Sequence, residues 1–196
     1  KLVVATDDER ISYLCSKNEI PFIMTSKNHK DCIDRAAEVA ETLVAEKYII
    51  IQGDEPFFNA EILNADFFPS IVNFYTKVKD PSEFYDSNAV KVVVSRNLRA
   101  IYFSRYSIPF HNSSTQKSND CLNIDKQIGV YIFSRESLLL FKSLGMSYLE
   151  GMEGVGLLRF IEHDIPVYMR YTDFDSISID TVEDLQRAEL FIKNQK

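Results

Sequence analysis

The stretch Tyr48-Ile49-Ile50-Ile51-Gln52-Gly53-Asp54-Glu55-Pro56 decides the fold class of this sequence. Its first four residues form a short apolar, β-branched run, which is typical of a buried strand. The next five residues form a polar loop, because glycine and proline end regular structure. Asp54 therefore follows the carboxyl end of a predicted strand. Ligands bind at that edge of an open α/β sheet, so the stretch predicts a sheet and a site together.

Strands and helices alternate on both sides of this stretch. On the N-terminal side, apolar runs at 2–5 and 21–24 precede helical patterns at 9–18 and 34–46. On the C-terminal side we predict strands at 128–133, 167–170 and 176–179, and helices at 134–144, 149–162 and 181–193. The last helix begins with Thr181 and Asp184 in a capping-box arrangement. The alternation predicts βαβ units and an α/β fold, with a mostly parallel sheet covered by helices on both faces.

The segment 71–126 has a different pattern. Three strands are predicted at 71–78, 89–94 and 100–103, and a polar stretch at 107–122 is expected to be a surface loop. We interpret 71–126 as an antiparallel insertion within one domain that comprises residues 1–196. Neither an internal repeat nor a linker divides the sequence.

The composition limits the classes of function. With 45% hydrophobic and 26% charged residues among 196, the chain has the composition of a folded domain. Its net charge of -7 argues against a nucleic-acid binder, which needs a basic face. No apolar run reaches the roughly 18 residues that a membrane span requires. The three cysteines, Cys15, Cys32 and Cys121, are an odd number without paired spacing, which favours reduced thiols and a cytoplasmic protein.

Asp54 and Asp180 are the candidate metal ligands. Each follows a predicted strand, so the two carboxylates are expected at one edge of the sheet, where paired carboxylates suit Mg²⁺. The spacing alone leaves a second interpretation open, in which each Asp is a turn residue or a helix cap.

Several segments, in order along nearly the whole chain, resemble the 3-deoxy-manno-octulosonate cytidylyltransferases, also called CMP-Kdo synthetases. The first are Val3-Val4-Ala5-Thr6-Asp7-Asp8-Glu9-Arg10-Ile11, Met24-Thr25-Ser26 with Asp34-Arg35, and Gln52-Gly53-Asp54-Glu55-Pro56. The others are Asn88-Ala89-Val90-Lys91-Val92-Val93, Tyr102-Phe103-Ser104-Arg105 with Ile108-Pro109, Ile128-Gly129-Val130-Tyr131, and Ile179-Asp180-Thr181 with Glu183-Asp184-Leu185. Each segment alone is a weak signal, whereas together and in register they are specific for the family.

The resemblance implies a fold and a reaction. The fold is a three-layer α/β/α, Rossmann-like nucleotidyltransferase domain, whose insertion forms the contact of a homodimer. The reaction joins CTP and a 3-deoxy-2-ulosonic acid to give a CMP-sugar and pyrophosphate, for lipopolysaccharide or capsule synthesis. Such chemistry depends on positioning and charge, so no nucleophilic side chain is required.

The resemblance also assigns roles to particular residues. Asp54 and Asp180 would be the catalytic residues that hold magnesium. The nucleotide would be bound by Thr25, Ser26, Arg35 and Asp54, and the sugar acid by Gln52, Arg105, Gln127 and Tyr131. Arg105 attracts interest because a guanidinium can grip a carboxylate through two parallel bonds. Judged without the family, a surface ion pair explains Arg105 equally well.

The sequence departs from the family pattern in several places. A basic loop of the form R-x-x-S-x-R-x-P-G-K-P, which grips the triphosphate in the family, does not occur in residues 1–196. We expect that a first strand and loop precede Lys1; the alternative is a protein that does not bind CTP in the usual way. Gln127 stands where the family has His, and Cys32 where it generally has Gly. Gly156 and Leu157 replace a Glu-Gln pair that meets the sugar hydroxyls. We therefore predict a different ulosonic acid as substrate, or neighbouring side chains that replace the lost contacts.

Two other functions remain open from the sequence. One is a nucleotidyltransferase of the same fold that acts on another sugar acid or a sugar phosphate, and the other is a non-catalytic paralogue. The three histidines, His29, His111 and His163, have no Cys or carboxylate at ligand spacing, so we expect neither metal binding nor base catalysis from them.

Overall fold

The computed structural model describes residues 1–61, 70–110, 123–173 and 178–194. Its strands are β1 (Val4–Thr6), β2 (Phe22–Met24), β3 (Lys47–Ile51), β4 (Ile71–Lys77), β5 (Lys91–Val94), β6 (Ala100–Ser104), β7 (Asp125–Ser134) and β8 (Tyr168–Tyr171). Its helices are α1 (Glu9–Lys17), α2 (Cys32–Thr42), α3 (Pro81–Tyr85), α4 (Arg135–Leu144), α5 (Tyr148–Glu153), α6 (Leu157–Glu162) and α7 (Val182–Asn194). The α/β alternation predicted from the sequence is confirmed.

Strand β7 organises the main sheet, whose strand order is β6-β5-β7-β4-β8. β4 runs antiparallel along one edge of β7, and β8 lies parallel to β4 on its far side. The other edge of β7 is shared, because β3 pairs with its C-terminal half and β5 with its first residues. β1 and β2 form a separate parallel ladder. The prediction of a mostly parallel sheet is therefore wrong for the described residues, in which antiparallel pairings outnumber parallel ones.

The core lies between this sheet and helices α2, α4 and α6. The aromatic rings of Phe133, Phe141 and Phe160 are fully buried, and Phe160 contacts both of the others. Ala37 and Ala40 place the face of α2 against the same cluster. Each fully buried large apolar side chain contributes about 1.5–3 kcal/mol relative to an exposed one. The core therefore holds α2 and α6 against the sheet.

β4, the first strand of the predicted insertion, lies inside the sheet between β7 and β8, and its residues from Ile71 to Thr76 are buried. β5 and β6 form the antiparallel edge pair. Helix α3 was not predicted from the sequence, although Asp80 and Pro81 are a standard helix start. The Asp80 carboxylate accepts a hydrogen bond of 2.8 Å from the Ser82 N–H.

The predicted helix 149–162 is wrong, because two short helices occupy it. α5 ends at Glu153, Gly154 adopts a left-handed conformation with φ of 63°, and α6 begins at Leu157. Glycine is the residue that most readily adopts such a conformation at a helix end. The break brings Gly154, Val155 and Gly156 to the lining of a cleft.

The C-terminal helix begins as predicted. The Asp184 carboxylate accepts a bond of 2.8 Å from the Thr181 N–H, and the Asp184 N–H donates to the Thr181 hydroxyl at 3.2 Å. Part of the predicted strand 176–179 and most of the predicted loop 107–122, including His111 and Cys121, lie outside the described residues. Ser178 and Ile179 are described and belong to no strand. Among the described helices, none is long and apolar enough to cross a membrane.

Candidate active site

A cleft of about 430 Å³ opens where the segment after β3 meets the start of β7, the break between α5 and α6, and the start of α7. Six of the residues predicted from the sequence line it, namely Gln52, Asp54, Arg105, Gln127, Tyr131 and Asp180. The fold therefore brings the predicted metal ligands and the predicted sugar-acid contacts into one cavity. Their roles stay predictions.

Asp54 and Asp180 are neighbours in this cleft. The Ile179 N–H donates a hydrogen bond of 2.9 Å to the Asp54 backbone carbonyl, which joins the two segments. Burial raises the pKa of the Asp54 carboxyl above its ordinary value, and the negative charge of Asp180 raises it further. Asp54 Oδ1 is buried, and no group in the described part of the chain donates a hydrogen bond to it.

This arrangement fits a hard divalent cation. A buried carboxylate oxygen without a donor, close to a second carboxylate, is destabilised unless a positive charge approaches it. Mg²⁺ is typically held by one or two carboxylates together with substrate phosphates and water. Within the described ranges, His, Cys, Asp and Glu form no group of three or more that could hold a metal. Asp54 and Asp180 therefore leave most coordination positions to other ligands.

The Arg105 guanidinium is bound to backbone carbonyls on two sides of the cleft. Nε donates to Glu153 O at 2.9 Å, Nη1 to Ser87 O at 2.9 Å and Nη2 to Gly154 O at 3.4 Å. These bonds use three of the five N–H groups of the guanidinium. Within the described residues the partners of the Arg105 side chain are these carbonyls, and it forms no ion pair with them. The remaining N–H groups can serve a ligand carboxylate.

Gln127 and Tyr131 are bonded to each other on β7. The Gln127 amide donates to the Tyr131 hydroxyl at 3.3 Å. Burial raises the pKa of Tyr131 well above its ordinary range, so its hydroxyl stays protonated at neutral pH. Gln127 is therefore a neutral neighbour of a neutral hydroxyl.

Gly129 lines the cleft with its backbone. A Cβ atom added there would lie 2.3 Å from Gln52 Oε1, closer than packed atoms approach. The Gln52 amide donates to Cys32 Sγ at 3.4 Å. Burial, together with the nearby charge of Asp31, raises the pKa of the Cys32 thiol well above its ordinary value, so this thiol is not an activated nucleophile.

Thr25, Ser26 and Arg35 form a second polar cluster, and they are not among the residues that line the cleft. Arg35 donates to the Thr25 hydroxyl and pairs with Asp7 at 2.8 Å. The Ser26 N–H donates to the Glu38 carboxylate, which also contacts His29. The structure thus places three of the four predicted nucleotide residues together, beside the carboxyl ends of β1 and β2, whereas the fourth, Asp54, lines the cleft.

Arg159 is a buried cation that was not predicted from the sequence. It makes paired bonds to the carboxylates of Glu150, at 2.6 and 2.7 Å, and of Asp34, at 2.9 and 3.2 Å. Burial alone would lower the pKa of Arg159, whereas these hydrogen bonds raise it. The sequence feature that could have revealed it is an arginine within the apolar run of α6. Arg159 joins α2, α5 and α6 behind the cleft.

Asp31 was also missed, and it faces the cleft itself. It caps α2 by accepting a bond of 2.7 Å from the Ile33 N–H, and it accepts a second bond of 3.2 Å from the Gly156 N–H. Gly156 also lines the cleft, whereas Leu157 is fully buried in the core. Of the departures at 127, 156 and 157, only the first two can therefore touch a ligand in the cleft.

The cleft is acidic. Its carboxylates outnumber its cations, which are Arg105, Lys126 and Arg187. Lys126 pairs with Glu83 at 2.8 Å, and Arg187 pairs with Asp184. An anionic ligand therefore meets positive charge mainly at Arg105, unless a metal ion accompanies it.

Comparison with known proteins identifies relatives with this fold. Residues 1–165 match the sequence profile described as cytidylyltransferase. Similar proteins named 3-deoxy-manno-octulosonate cytidylyltransferase occur in Trichlorobacter lovleyi, with 34% identity over 96% of this chain and 80% of the relative, and in Thermodesulfovibrio yellowstonii, with 36% identity over the same shares. The protein of that name in Bacteroides thetaiotaomicron is 34% identical over 98% of this chain and 82% of its own.

Comparison with solved structures agrees with these sequence matches. The structure titled CMP:2-keto-3-deoxy-manno-octonic acid synthetase complexed with CTP superposes with a TM-score of 0.83 and 25% identity, over all of this chain and 82% of that one. The inositol-1-phosphate CTP transferase of T. maritima has a TM-score of 0.64 and 18% identity, over 98% and 75% of the two chains, and shows a shared fold alone. The predicted Rossmann-like nucleotidyltransferase fold is confirmed.

Proposed function

We propose that this chain, which belongs to the cytidylyltransferase family, transfers CMP from CTP to a 3-deoxy-2-ulosonic acid and releases pyrophosphate. The observation that carries the proposal is the single cleft that holds the Asp54–Asp180 pair and the side chains of Arg105, Gln127 and Tyr131. The relatives are named for 3-deoxy-manno-octulosonate, which is therefore the first acid to test.

In the proposed reaction, the anomeric oxygen of the sugar acid bonds to the α-phosphorus of CTP. The bond from that phosphorus to the bridging oxygen breaks, pyrophosphate leaves, and the hydroxyl proton is released to water. The side chains of the cleft act by positioning. Arg105 directs N–H groups at the substrate carboxylate, and the protonated Tyr131 hydroxyl donates to a sugar oxygen.

The proposed cofactor is Mg²⁺, held by Asp54 and Asp180. The chemistry that it supplies when bound is neutralisation of charge on the triphosphate and polarisation of the α-phosphate. The donor-free Oδ1 of Asp54 and the excess of carboxylates in the cleft support this assignment, because two anionic substrates must enter an acidic cavity. Thr25, Ser26 and Arg35 are assigned to the nucleotide.

The acceptor is a sugar acid rather than a sugar phosphate. A phosphate dianion calls for several cations, whereas Lys126 and Arg187 are paired with Glu83 and Asp184. Arg105 is engaged with backbone carbonyls and retains N–H groups for one carboxylate. This contrast favours the ulosonic acid over the polyol phosphate that the T. maritima neighbour is named for.

The enzyme is proposed to work as a cytoplasmic homodimer that supplies an activated sugar acid to surface-polysaccharide synthesis. Two described cysteines, Cys15 and Cys32, are free thiols, which suits a reducing compartment. Tyr85, Leu98, Ile101, Tyr106 and Phe110, all within or beside β5 and β6, are more than half exposed and support an apolar contact there. Light scattering of the full-length protein should give twice the monomer mass, and a monomer at micromolar concentration would contradict the dimer.

The test is an acceptor panel with the full-length gene product, because residues 1–196 contain no counterpart of the family's triphosphate loop. Pyrophosphate release is followed with CTP, Mg²⁺ and, in turn, 3-deoxy-manno-octulosonate, other 2-ulosonic acids and inositol 1-phosphate. We expect release with at least one ulosonic acid, and none without metal. Release with the phosphate alone, or with no acceptor, would contradict the proposal.

A further inference from the structure

The Asp31 carboxylate occupies the space into which a side chain at position 156 would extend. A Cβ atom built on Gly156 would lie 2.6 Å from Asp31 Cγ, 2.6 Å from Oδ1 and 2.7 Å from Oδ2. Packed atoms do not approach so closely, so the carboxylate and any side chain at 156 exclude each other. The segment resembles a family pattern in which position 156 is a glutamate that faces the sugar.

We propose that Asp31 binds hydroxyl groups of the acceptor sugar, and that it supplies from the start of α2 the carboxylate that position 156 lacks. The proposal rests on the proposed function and identifies a specificity-determining residue of the same site. It also explains the departure at Gly156 without loss of the contact, because the carboxylate has moved from one element of the cleft to another.

The hydrogen bonds of Asp31 leave it able to accept from a ligand. Oδ1 accepts from the Ile33 N–H and Oδ2 from the Gly156 N–H. A carboxylate has about four lone-pair positions, so two bonds hold the group in place and leave acceptor capacity on the cleft side. Vicinal sugar hydroxyls are donors that match two fixed carboxylate oxygens. The half-buried position of Asp31 makes such bonds stronger than in water.

One short segment, residues 153–156, holds both Arg105 and Asp31, which would bind opposite ends of the acceptor. Arg105 bonds to the backbone carbonyls of Glu153 and Gly154, and Asp31 bonds to the N–H of Gly156. A substrate carboxylate is attracted to Arg105 and repelled by Asp31. The acid group therefore lies at Arg105, and the hydroxylated part of the sugar lies toward Asp31.

The experiment moves the carboxylate between the two positions in the full-length protein. Asp31→Ser keeps a good helix N-cap but removes the carboxylate, and Asp31→Asn keeps both the cap and the size of the side chain. We expect either change to raise KM for the ulosonic acid by about 10- to 100-fold, the effect of losing hydrogen bonds to a charged group, with KM for CTP unchanged. Asp8→Ser, which alters the exposed cap of α1, should leave both KM values unchanged.

The double variant Asp31→Ser, Gly156→Glu restores a carboxylate from the other side. Gly156→Glu alone should raise KM for the acid, because the new side chain collides with Asp31. The double variant should recover most of the loss in Asp31→Ser, a coupling that independent sites do not show. A double variant no better than the worse single variant would overturn the proposal, and so would Asp31→Asn with an unchanged KM for the acid.

Failure of this proposal can be distinguished from failure of the proposed function. Calorimetric binding of the ulosonic acid to the full-length protein does not require turnover. Binding that weakens in Asp31→Asn supports the contact even if no pyrophosphate is released, in which case only the proposed reaction fails. Turnover in the wild type together with equal acid binding in Asp31→Asn would reject Asp31 alone, and a raised KM for CTP instead would place Asp31 on the nucleotide.

Discussion

Folding destabilises the ionised form of the Asp54 carboxyl. The direction of the resulting effect on protein stability can be tested. Burial and the charge of Asp180 raise its pKa above the ordinary value of 3.8. An acid with a raised pKa costs the folded state free energy above its unfolded pKa, and the cost disappears at lower pH, where both states are protonated. Asp54→Asn should therefore raise Tm near neutral pH and leave it unchanged at a pH below 3.8.

The same variant should lose turnover, because the amide cannot replace the carboxylate as a metal ligand. Thermal unfolding measured without metal across pH, beside pyrophosphate release, separates the two effects. Asp8→Asn is the control, since hydrogen bonds from Arg10 lower the pKa of Asp8 and its replacement should not raise Tm. An Asp54→Asn protein that remains active would refute the metal assignment.

Arg159 should be among the most sensitive positions for stability. Its side chain is 2% exposed and lies between two carboxylates, so Arg159→Met leaves Glu150 and Asp34 buried without their partner. Breaking a buried pair in this way costs about 3–5 kcal/mol. Urea unfolding measures the change in the free energy of unfolding. Arg10→Met, at a 90% exposed side chain, is the matched control and should leave the free energy of unfolding nearly unchanged, because water screens its ion pair with Asp8.

At the residue scale, sequence reasoning located the groups that follow strands or lie in quoted motifs. Asp54, Asp180, Arg105, Gln127 and Tyr131 do line one cleft. Asp31 could not be found in this way, because its significance depends on the approach of Gly156, which is distant in sequence. A contact between two loops carries no periodicity or spacing that a single sequence displays.

At the scale of elements, the break between α5 and α6 provides a pair of opposite predictions. Gly154 has a positive φ, so Gly154→Ala should lower the free energy of unfolding by about 1 kcal/mol. Gly151 lies within α5, and a Cβ atom added there would meet only the end of the Met146 side chain. Gly151→Ala should therefore raise the free energy of unfolding by about 0.5–1 kcal/mol. Chemical denaturation of both variants checks the signs. Equal stabilisation by both would mean that one continuous helix occupies 149–162 and would contradict the break at Gly154.

The break itself was missed for an understandable reason. The apolar residues Leu149, Leu157, Leu158 and Phe160 are compatible with one helix, and the pattern does not reveal where backbone bonds are interrupted. Gly154 and Gly156 were the available signal. The interruption matters for function, because it exposes the carbonyls that hold Arg105 and the N–H that holds Asp31.

At the scale of the whole molecule, the order of elements was predictable and the pairing of strands was not. Each apolar run could be recognised locally, whereas β7 pairs with β3, β4 and β5 across long separations in sequence. Register and direction depend on these non-local contacts, so the mixed orientation of the sheet emerged only in three dimensions. The resemblance to a family nevertheless predicted the cleft, because it places distant motifs at one site.

The most direct test of the account follows the α-phosphorus of CTP. Phosphorus NMR and mass spectrometry of a reaction with full-length protein, CTP, Mg²⁺ and 3-deoxy-manno-octulosonate should show a CMP ester of the sugar acid and an equal amount of pyrophosphate, with neither formed by Asp54→Asn. Intact CTP after prolonged incubation with every 2-ulosonic acid, or formation of a nucleoside diphosphate sugar from a sugar phosphate, would contradict cytidylyl transfer to a sugar acid.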